Sequence, residues 1–195
     1  MTPKTKKFIT ALDTALEALE IAGVPAHLCS GTALGAIREK GIMEHDDDID
    51  LSIFYWDAKT KKKVDAIKKS LRAFSFRKNH ELGKLNRGYE LSYIHPNGTQ
   101  VDFFWVYSAV YKKKDIYYYA SYFGMCDDYP KKMCVWKMRP YHPRRVRMYG
   151  RGYWCAPVSY LIDAYGKNWK IPLKFSYDEG IKKKLYRGLI TDFWK

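Results

Sequence analysis

The fold of this 195-residue chain is decided by the stretch Asp46-Asp47-Asp48-Ile49-Asp50-Leu51-Ser52-Ile53-Phe54. Asp48, Asp50 and Ser52 alternate with apolar residues, and this period of two predicts a strand with one apolar and one acidic face. Two aspartates on one strand face lie about 7 Å apart and repel each other. A cation that prefers oxygen ligands, such as Mg²⁺, would relieve the repulsion. The pattern predicts Asp48 and Asp50 as metal ligands, and a solvated acidic strand end is the alternative.

A phosphate site is predicted just before this strand. Ser30-Gly31-Thr32 lies between a short apolar strand, Ala26–Cys29, and a helix predicted over Ala33–Lys40. The backbone N–H groups of such a turn and the N-terminus of the helix favour a bound phosphate. Arg38 on the same helix is a candidate phosphate clamp, although an exposed surface arginine is an equally good interpretation.

A hairpin is predicted further along the chain. Two runs with strand character, Tyr89–His95 and Gln100–Tyr107, flank Pro96-Asn97-Gly98-Thr99. Asn-Gly is a strong turn signal because both residues tolerate positive φ. The simplest register pairs His95 with Gln100 and sets Asp102 opposite Tyr93.

Asp102 is the lone acid in the apolar run Val101–Val106. An unpaired buried charge is costly, and a metal ion shared with Asp48 and Asp50 would account for it. Three carboxylates beside a phosphate turn suit phosphoryl transfer, which needs metal ions, an in-line approach and donors for the leaving group. Asp102 is also a candidate to take the proton of the attacking hydroxyl.

Further helices are predicted where apolar residues recur at helical spacing, or where Pro and Gly stand at the two ends of a segment. These helices are residues 4–22, 58–73, Pro157–Tyr165 and, at the tail, 178–194. Residues 146–155 are predicted as one strand. The aromatic and basic segment 108–145 has no clean period and is interpreted as loops and short elements. No repeat or linker divides the chain, so we expect one domain over residues 1–195.

The formal net charge of +14 indicates an anionic partner, such as a nucleotide, a nucleic acid, an acidic glycan or a membrane surface. Acidic residues interrupt the N-terminal apolar run, and no segment has about 18 consecutive apolar residues, so neither a secretory signal nor a membrane span is predicted. We expect a cytoplasmic protein by default, or one of the secretory-pathway lumen if an anchor is missing. Cys126 and Cys134 would pair only in an oxidising compartment.

Three blocks of the sequence resemble the signature of the LicD/fukutin family, in the expected order and over residues 9–172. The first block is highly specific and runs from Gly31-Thr32-Ala33-Leu34-Gly35-Ala36-Ile37-Arg38 through Gly41-Ile42 to Asp46–Asp50. Val101-Asp102-Phe103-Phe104 is similar to the family's later aspartate strand. The closing motif comprises Ala156-Pro157, Tyr160-Leu161, Tyr165-Gly166-Lys167-Asn168-Trp169 and Pro172.

This resemblance implies an α+β, nucleotidyltransferase-type fold with a small mixed β-sheet flanked by helices. It also implies a phosphotransferase that moves phosphocholine or a polyol phosphate from a CDP-linked donor to a hydroxyl of a glycan or glycoconjugate, with Mg²⁺ or Mn²⁺ as the cofactor. Family roles carry over to Asp48, Asp50 and Asp102 as catalytic metal ligands, and to Gly31 and Thr32 as the donor-phosphate turn.

The chain departs from the family where Pro-Trp usually precedes the aspartates, since Glu44-His45 stands there and leaves the donor or acceptor preference open. Two other functions also stay open. A nucleotidyltransferase that adds NMP to a small molecule or protein would lack the Tyr-Gly-x-x-Trp ending. A non-catalytic basic module that binds nucleic acid or an acidic polymer has no physical reason to retain a costly acid cluster, so we do not expect nucleic acid as a partner. The sequence decides neither the donor cargo, the acceptor nor the oligomeric state.

Overall fold

The structure is a computed structural model that describes residues 1–122, 133–173, 179–180 and 188–190, and strands are its most common secondary structure. The helices are α1 (Pro3–Ile21), α2 (Ser30–Arg38), α3 (Lys61–Ala73) and α4 (Val158–Tyr165), and Tyr55–Asp57 form a short 3₁₀-helix. The strands are β1 (His27–Leu28), β2 (Asp48–Phe54), β3 (Arg77–Lys84), β4 (Arg87–Ile94), β5 (Gln100–Tyr111), β6 (Lys114–Tyr122), β7 (Met133–Met138), β8 (Arg144–Met148), β9 (Arg151–Cys155) and β10 (Leu189–Ile190).

These strands form one mixed sheet around a central parallel pair, β2 and β5. On one side of the pair, β4 lies antiparallel to β5 and is followed by β3. On the other side, β1 lies antiparallel to β2 and is followed by β9 and β8. The second half of β5 leaves β2 and pairs with β6, which continues through β7 to β10. The predicted mixed sheet is therefore confirmed, and it is larger than expected.

One hydrophobic core connects the helices with the sheet. The predicted amphipathic helix is α1, and its buried face includes Phe8, Leu12 and Leu19. It packs against α3, β2 and β5, whereas α2 packs against β2 and α4. Because side chains alternate between the two faces of a strand, the apolar residues of β2 lie on one face and its aspartates on the other. No helix in the described ranges is both long and apolar enough to cross a membrane.

The prediction that residues 108–145 form loops and short elements is wrong, because they contain the end of β5, all of β6 and β7, and the start of β8. Residues 118–122 of β6 are all buried, so the strand is covered on both faces and has no period of two to detect. The turn before it is Lys112-Lys113, with positive φ at both residues. Hairpin turns of that kind normally contain Asn or Gly, so this one gave no signal.

Residues 146–155, predicted as one strand, instead belong to the hairpin of β8 and β9. Its two central turn residues, Tyr149 and Gly150, have φ of 51° and 79°. Positive φ at both positions is typical of the type I′ two-residue hairpin turn. The chain therefore reverses inside the segment that the sequence pattern interpreted as continuous.

The predicted register of the β4–β5 hairpin is wrong by one residue. Ile94 pairs with Gln100 and Ser92 with Asp102, so Tyr93 is not opposite Asp102 and His95 is not opposite Gln100. The His95 N–H donates to the Thr99 carbonyl at 2.9 Å, so the turn between these two residues has three residues, one fewer than predicted. Inside it, the Asn97 side chain accepts a hydrogen bond from the Thr99 N–H at 3.0 Å, a local bond typical of asparagine in turns.

Three helix predictions also need correction. α2 begins at Ser30 and not at Ala33, so the predicted phosphate turn is the first turn of the helix. α3 begins at Lys61 and not at residue 58, because the Thr60 side chain caps it by accepting the Lys63 N–H. The predicted tail helix contains the strand β10, and most of its other residues lie outside the described ranges. Cys126, which would pair with Cys134 only in an oxidising compartment, also lies outside them.

Candidate functional site

Three carboxylates meet where β2 and β5 run side by side. The parallel register places Asp50 directly beside Asp102, and Asp48 lies two residues earlier on the same face of β2. One carboxylate oxygen from each aspartate lies within 4.8 Å of the other two. The structure therefore brings together the three acids that the sequence singled out.

The N-terminus of α2 points at this cluster. The backbone N–H groups of Gly31 and Thr32 donate to Asp50 Oδ2, at 2.9 and 3.5 Å. The Thr32 hydroxyl accepts the backbone N–H of Asp50 at 2.9 Å, so it connects α2 to β2. A Cβ atom at Gly31 would lie 3.2 Å from an Asp46 carboxylate oxygen and 3.3 Å from Asp50 Oδ2. Glycine therefore keeps open the space between the helix and the carboxylates.

Buried tyrosine hydroxyls hold the first residue of α2. Ser30 has a φ of 43°, in the left-handed region that few residues other than glycine occupy. Its hydroxyl lies 2.9 Å from the Tyr119 hydroxyl, and its backbone N–H donates to the Tyr160 hydroxyl at 3.1 Å. These contacts stabilise a costly backbone conformation at the edge of the carboxylate cluster, where such conformations tend to occur in functional sites.

Burial and like charge raise the pKa values of the clustered carboxyls. Burial raises the pKa of Asp50 well above its ordinary value, and the nearby Asp48, Asp46 and Asp102 raise it further. Burial, reinforced by the charge of Glu90, raises the pKa of Asp102 to about 7. A divalent cation would offset this repulsion. Clustered carboxylate oxygens are the ligands that Mg²⁺ and Mn²⁺ favour, so the residues present fit such an ion.

Asp46 is a fourth acid at the cluster that the sequence interpretation did not include. Burial and Asp48 raise its pKa to about 7, and its Oδ2 is buried with no hydrogen-bond partner in the described part of the chain. Asp47, in contrast, is exposed and forms an ion pair with Lys4 at 2.8 Å. A signal was available, because the strand period that relates Asp48 to Asp50 also places residue 46 on the same side.

The carboxylates line a cavity of about 490 Å³. Ser30 and Gly31 of α2 line it beside the aspartates. The closing motif of the sequence contributes another part of the wall, through Tyr165, Asn168, Trp169 and Pro172. Segments that are distant in sequence thus surround this one cavity, which is large enough for a small-molecule ligand.

Arg38 lines the same cavity at the far end of α2. Its guanidinium donates to Glu39 Oε1 at 2.6 Å and to the Trp169 carbonyl at 3.3 Å. At 1.5 Å per residue, Arg38 is about 12 Å along the helix from Ser30. It is therefore placed to meet a group well away from the aspartates, and its role as a phosphate clamp stays a prediction.

Glu90 and His80 also line the cavity, beyond Asp102. His80 Nε2 on β3 lies 2.8 Å from Glu90 Oε1 on β4. The sequence interpretation missed both residues, because the wrong register set Glu90 on the face opposite to Asp102. The available signal was an acid inside an apolar strand run, the same signal that had identified Asp102.

The fold is similar to that of a known antibiotic-resistance protein. The solution structure of the antibiotic-resistance factor ANT(2'')-Ia matches with a TM-score of 0.51, covering 93% of this chain and 83% of that one. The sequence identity is 15%, so the match concerns the fold alone. The predicted nucleotidyltransferase-type fold is confirmed.

Curated relatives are similar over most of this chain. The Mus musculus ribitol-5-phosphate transferase FKTN is 30% identical over 174 residues, which cover 84% of this chain and 33% of the relative. The Homo sapiens ribitol-5-phosphate transferase FKTN is 29% identical over 178 residues, with the same coverage. The chain therefore spans about one third of the length of the curated relatives it matches.

The family match covers the phosphate turn, the aspartate strand and the later aspartate in one continuous segment. The LicD/FKTN/FKRP nucleotidyltransferase domain matches residues 23–149, which include β1 to β8 and the whole carboxylate cluster. The first two LicD/fukutin blocks seen in the sequence lie in this segment, and the structure brings their aspartates Asp48, Asp50 and Asp102 together in one site. The chain belongs to the LicD/FKTN/FKRP nucleotidyltransferase-domain family.

Proposed function

We propose that this protein transfers a phospho-substituted polyol from a CDP-linked donor to a hydroxyl of a glycan or glycoconjugate, with Mg²⁺ or Mn²⁺ held by Asp48, Asp50 and Asp102. The observation that carries the proposal is the convergence of these carboxylates with the N-terminus of α2 at one cavity. Phosphoryl transfer needs both parts, since one gathers a cation and the other favours a phosphate.

The proposed reaction breaks the phosphoanhydride bond of the CDP-linked donor and forms a phosphodiester with the acceptor. The oxygen of the acceptor hydroxyl bonds to the phosphorus that carries the polyol, and CMP leaves with the electrons of the broken P–O bond. Asp102 takes the proton of the attacking hydroxyl. The donor diphosphate lies in the space that Gly31 leaves open beside the N-terminus of α2, where the helix dipole favours a phosphate although the Gly31 and Thr32 N–H groups donate to Asp50. The bound cation supplies Lewis-acid stabilisation of charge on the phosphoryl oxygens.

The polyol cargo is favoured over choline by the names of the relatives, both of which are ribitol-5-phosphate transferases. Because this chain covers one third of their length, ribitol is a candidate cargo and not an established one. The aromatic side chains at the cavity, including Tyr119 and Trp136, would also accommodate a quaternary ammonium. The donor must therefore be identified by experiment.

The proposal is tested by CMP release from CDP-ribitol, CDP-glycerol and CDP-choline, with Mg²⁺ or Mn²⁺, for the wild type beside Asp50→Asn. Release from one donor that the variant loses would support the proposal and name the cargo. Pyrophosphate release from nucleoside triphosphates, without CMP release from any CDP donor, would favour a nucleotidyltransferase instead. Salt-sensitive binding of nucleic acid with neither activity would favour the basic binding module.

A further inference from the structure

A β-bulge turns His80 toward the carboxylate side of the sheet. Lys78 pairs with Tyr93 but His80 pairs with Ser92, so Asn79 is an extra residue in β3. A bulge of this kind re-aims the following side chains. Without it, His80 would lie opposite residue 91 and on the other face. With it, His80 shares the face of Ser92, and Ser92 pairs with Asp102 on the next strand.

Because of the bulge, the His80 side chain contacts one of the two carboxylate oxygens of the buried Glu90. Glu90 lies two residues before Ser92 on the same face of β4, and its Oε1 contacts His80 Nε2 at 2.8 Å. Glu90 is only 5% exposed. Its other oxygen, Oε2, is buried and has no hydrogen-bond partner among the residues that the structure describes. A buried polar atom left in this state is costly, so an occupant of the cavity is expected to supply the missing donor.

The position of Glu90 separates it from the phosphate side of the site. Across the sheet the order is β4, β5, β2, and α2 packs against β2. Glu90 therefore lies on the flank of the aspartates opposite to the N-terminus of α2, where the donor diphosphate is proposed to bind. On the proposed function, a group that contacts Glu90 is therefore either the polyol attached to the reacting phosphorus or the acceptor that approaches this phosphorus. It is not part of the CMP leaving group.

The surroundings of Glu90 define the chemistry of that group. Phe104 pairs with Glu90 across the strands. Phe104, Tyr122 and Trp136 all line the cavity. Aromatic rings beside a single carboxylate oxygen suit a molecule with C–H faces and hydroxyl donors. Choline has no N–H group and would leave Oε2 without a hydrogen bond. A polyol or a sugar provides both the apolar face and the hydrogen-bond donor.

We propose that Glu90, oriented by His80, binds a hydroxyl of a polyol or sugar on the Asp102 flank of the cavity. This inference rests on the proposed function and assigns the part of the site that recognises a hydroxyl-bearing group. Two sources share this chemistry, namely the polyol of the donor and the hydroxyls of the acceptor. The carboxylate accepts a hydrogen bond when it is ionised and donates one when it is protonated, so the assignment does not depend on its charge.

The test measures affinities by calorimetry in the presence of Mg²⁺, for the wild type and Glu90→Gln. The first readout is the ratio of the affinities for CDP-ribitol and CDP, because a general loss of folding or of metal binding cancels in a ratio. The second readout is the affinity for free ribitol of protein saturated with CDP. His80→Ala is expected to change the same readout as Glu90→Gln, by a smaller factor. Glu81→Gln is the matched control, since Glu81 lies on the other face of β3, opposite Leu91.

If the group belongs to the donor, Glu90→Gln lowers the CDP-ribitol to CDP affinity ratio about tenfold or more. If it belongs to the acceptor, that ratio is unchanged and the affinity for free ribitol falls by a similar factor. Equal values for the wild type and Glu90→Gln in both readouts would overturn the inference while leaving the proposed function intact. A wild type that binds neither CDP nor CDP-ribitol would overturn the proposed function, and the inference with it.

Discussion

At the scale of the single residue, Asp50 is the most crowded carboxyl of the site, since three neighbouring aspartates raise its pKa. Asp50→Asn keeps the shape of the side chain but removes a charge and a metal ligand. We expect CMP release to fall to about 1% or less, because a bound cation contributes several kcal/mol of charge stabilisation. Asp47→Asn is the control, since Asp47 is exposed and pairs with Lys4. Full activity in a folded Asp50→Asn protein would place the site elsewhere.

Gly31 gives a second prediction at this scale. In Gly31→Ala, the new methyl group would lie 3.2 Å from an Asp46 carboxylate oxygen and 3.3 Å from Asp50 Oδ2, and it would occupy the space proposed for a donor phosphate. We expect KM for the CDP donor to rise about tenfold, the value of a hydrogen bond to a charged group, with little change in thermal stability. In Gly152→Ala the nearest atom is the mobile end of Arg145, so steady-state kinetics should match the wild type. An unchanged KM in Gly31→Ala would argue against phosphate binding at this turn.

At the scale of the element, the entry to α2 depends on tyrosines from distant strands and helices. Tyr160→Phe removes the hydroxyl that accepts the backbone N–H of Ser30. Leaving that donor unsatisfied should lower the free energy of unfolding by about 1–2 kcal/mol, measured by urea denaturation. Catalytic activity should fall as well, because the helix end that faces Asp50 loses a support. A variant as stable as the wild type would mean that Ser30 finds another acceptor.

Elements whose polar and apolar residues alternate regularly could be predicted from the sequence. α1 buries one face, and β2 alternates apolar with polar residues although residues 49–53 are all buried, so the periods of 3.6 and two are visible in the residues. The same reasoning failed for β6, which is buried on both faces over residues 118–122 and has no such alternation there. Its preceding Lys112-Lys113 turn also lacks the residues that normally mark a hairpin.

The candidate site was predictable to the extent that it is local. Asp48 and Asp50 share a strand face by their spacing alone, and Asp102 stood out as an acid in an apolar run. Glu90 could not be placed, because a slip of one residue in register moves every side chain of a strand to the other face. His80 reaches the site only through the bulge at Asn79, and neither the loop length nor the bulge has a signature in a single sequence.

At the scale of the whole molecule, the carboxylate cluster should make stability depend on pH. The pKa values of Asp46 and Asp102 rise on folding from 3.8 to about 7, so the folded chain keeps protons that the unfolded chain releases. Their contribution is full below pH 3.8 and is lost as pH rises through about 7. Each such carboxyl lowers the free energy of unfolding by about 1.4 kcal/mol per pH unit within that window.

Thermal unfolding in EDTA should therefore show a melting temperature that falls between pH 5 and pH 8. Added Mg²⁺ or Mn²⁺ should raise the melting temperature most at pH 8, because the cation binds the deprotonated cluster of the folded state. Asp50→Asn should show a smaller fall with pH and little response to the cation. A melting temperature in EDTA that rises with pH over this window would contradict the electrostatic account of the site.

The central pairing of β2 with β5 also has a kinetic consequence. It joins segments about fifty residues apart in the chain, and such non-local pairings form slowly during folding. The aspartates repel one another at close range only after the two strands have docked, so their repulsion opposes a late step and leaves early collapse unaffected. A cation that recognises the docked strands lowers the energy of the native state more than that of the barrier. The bound cation therefore slows unfolding and leaves the rate of refolding largely unchanged.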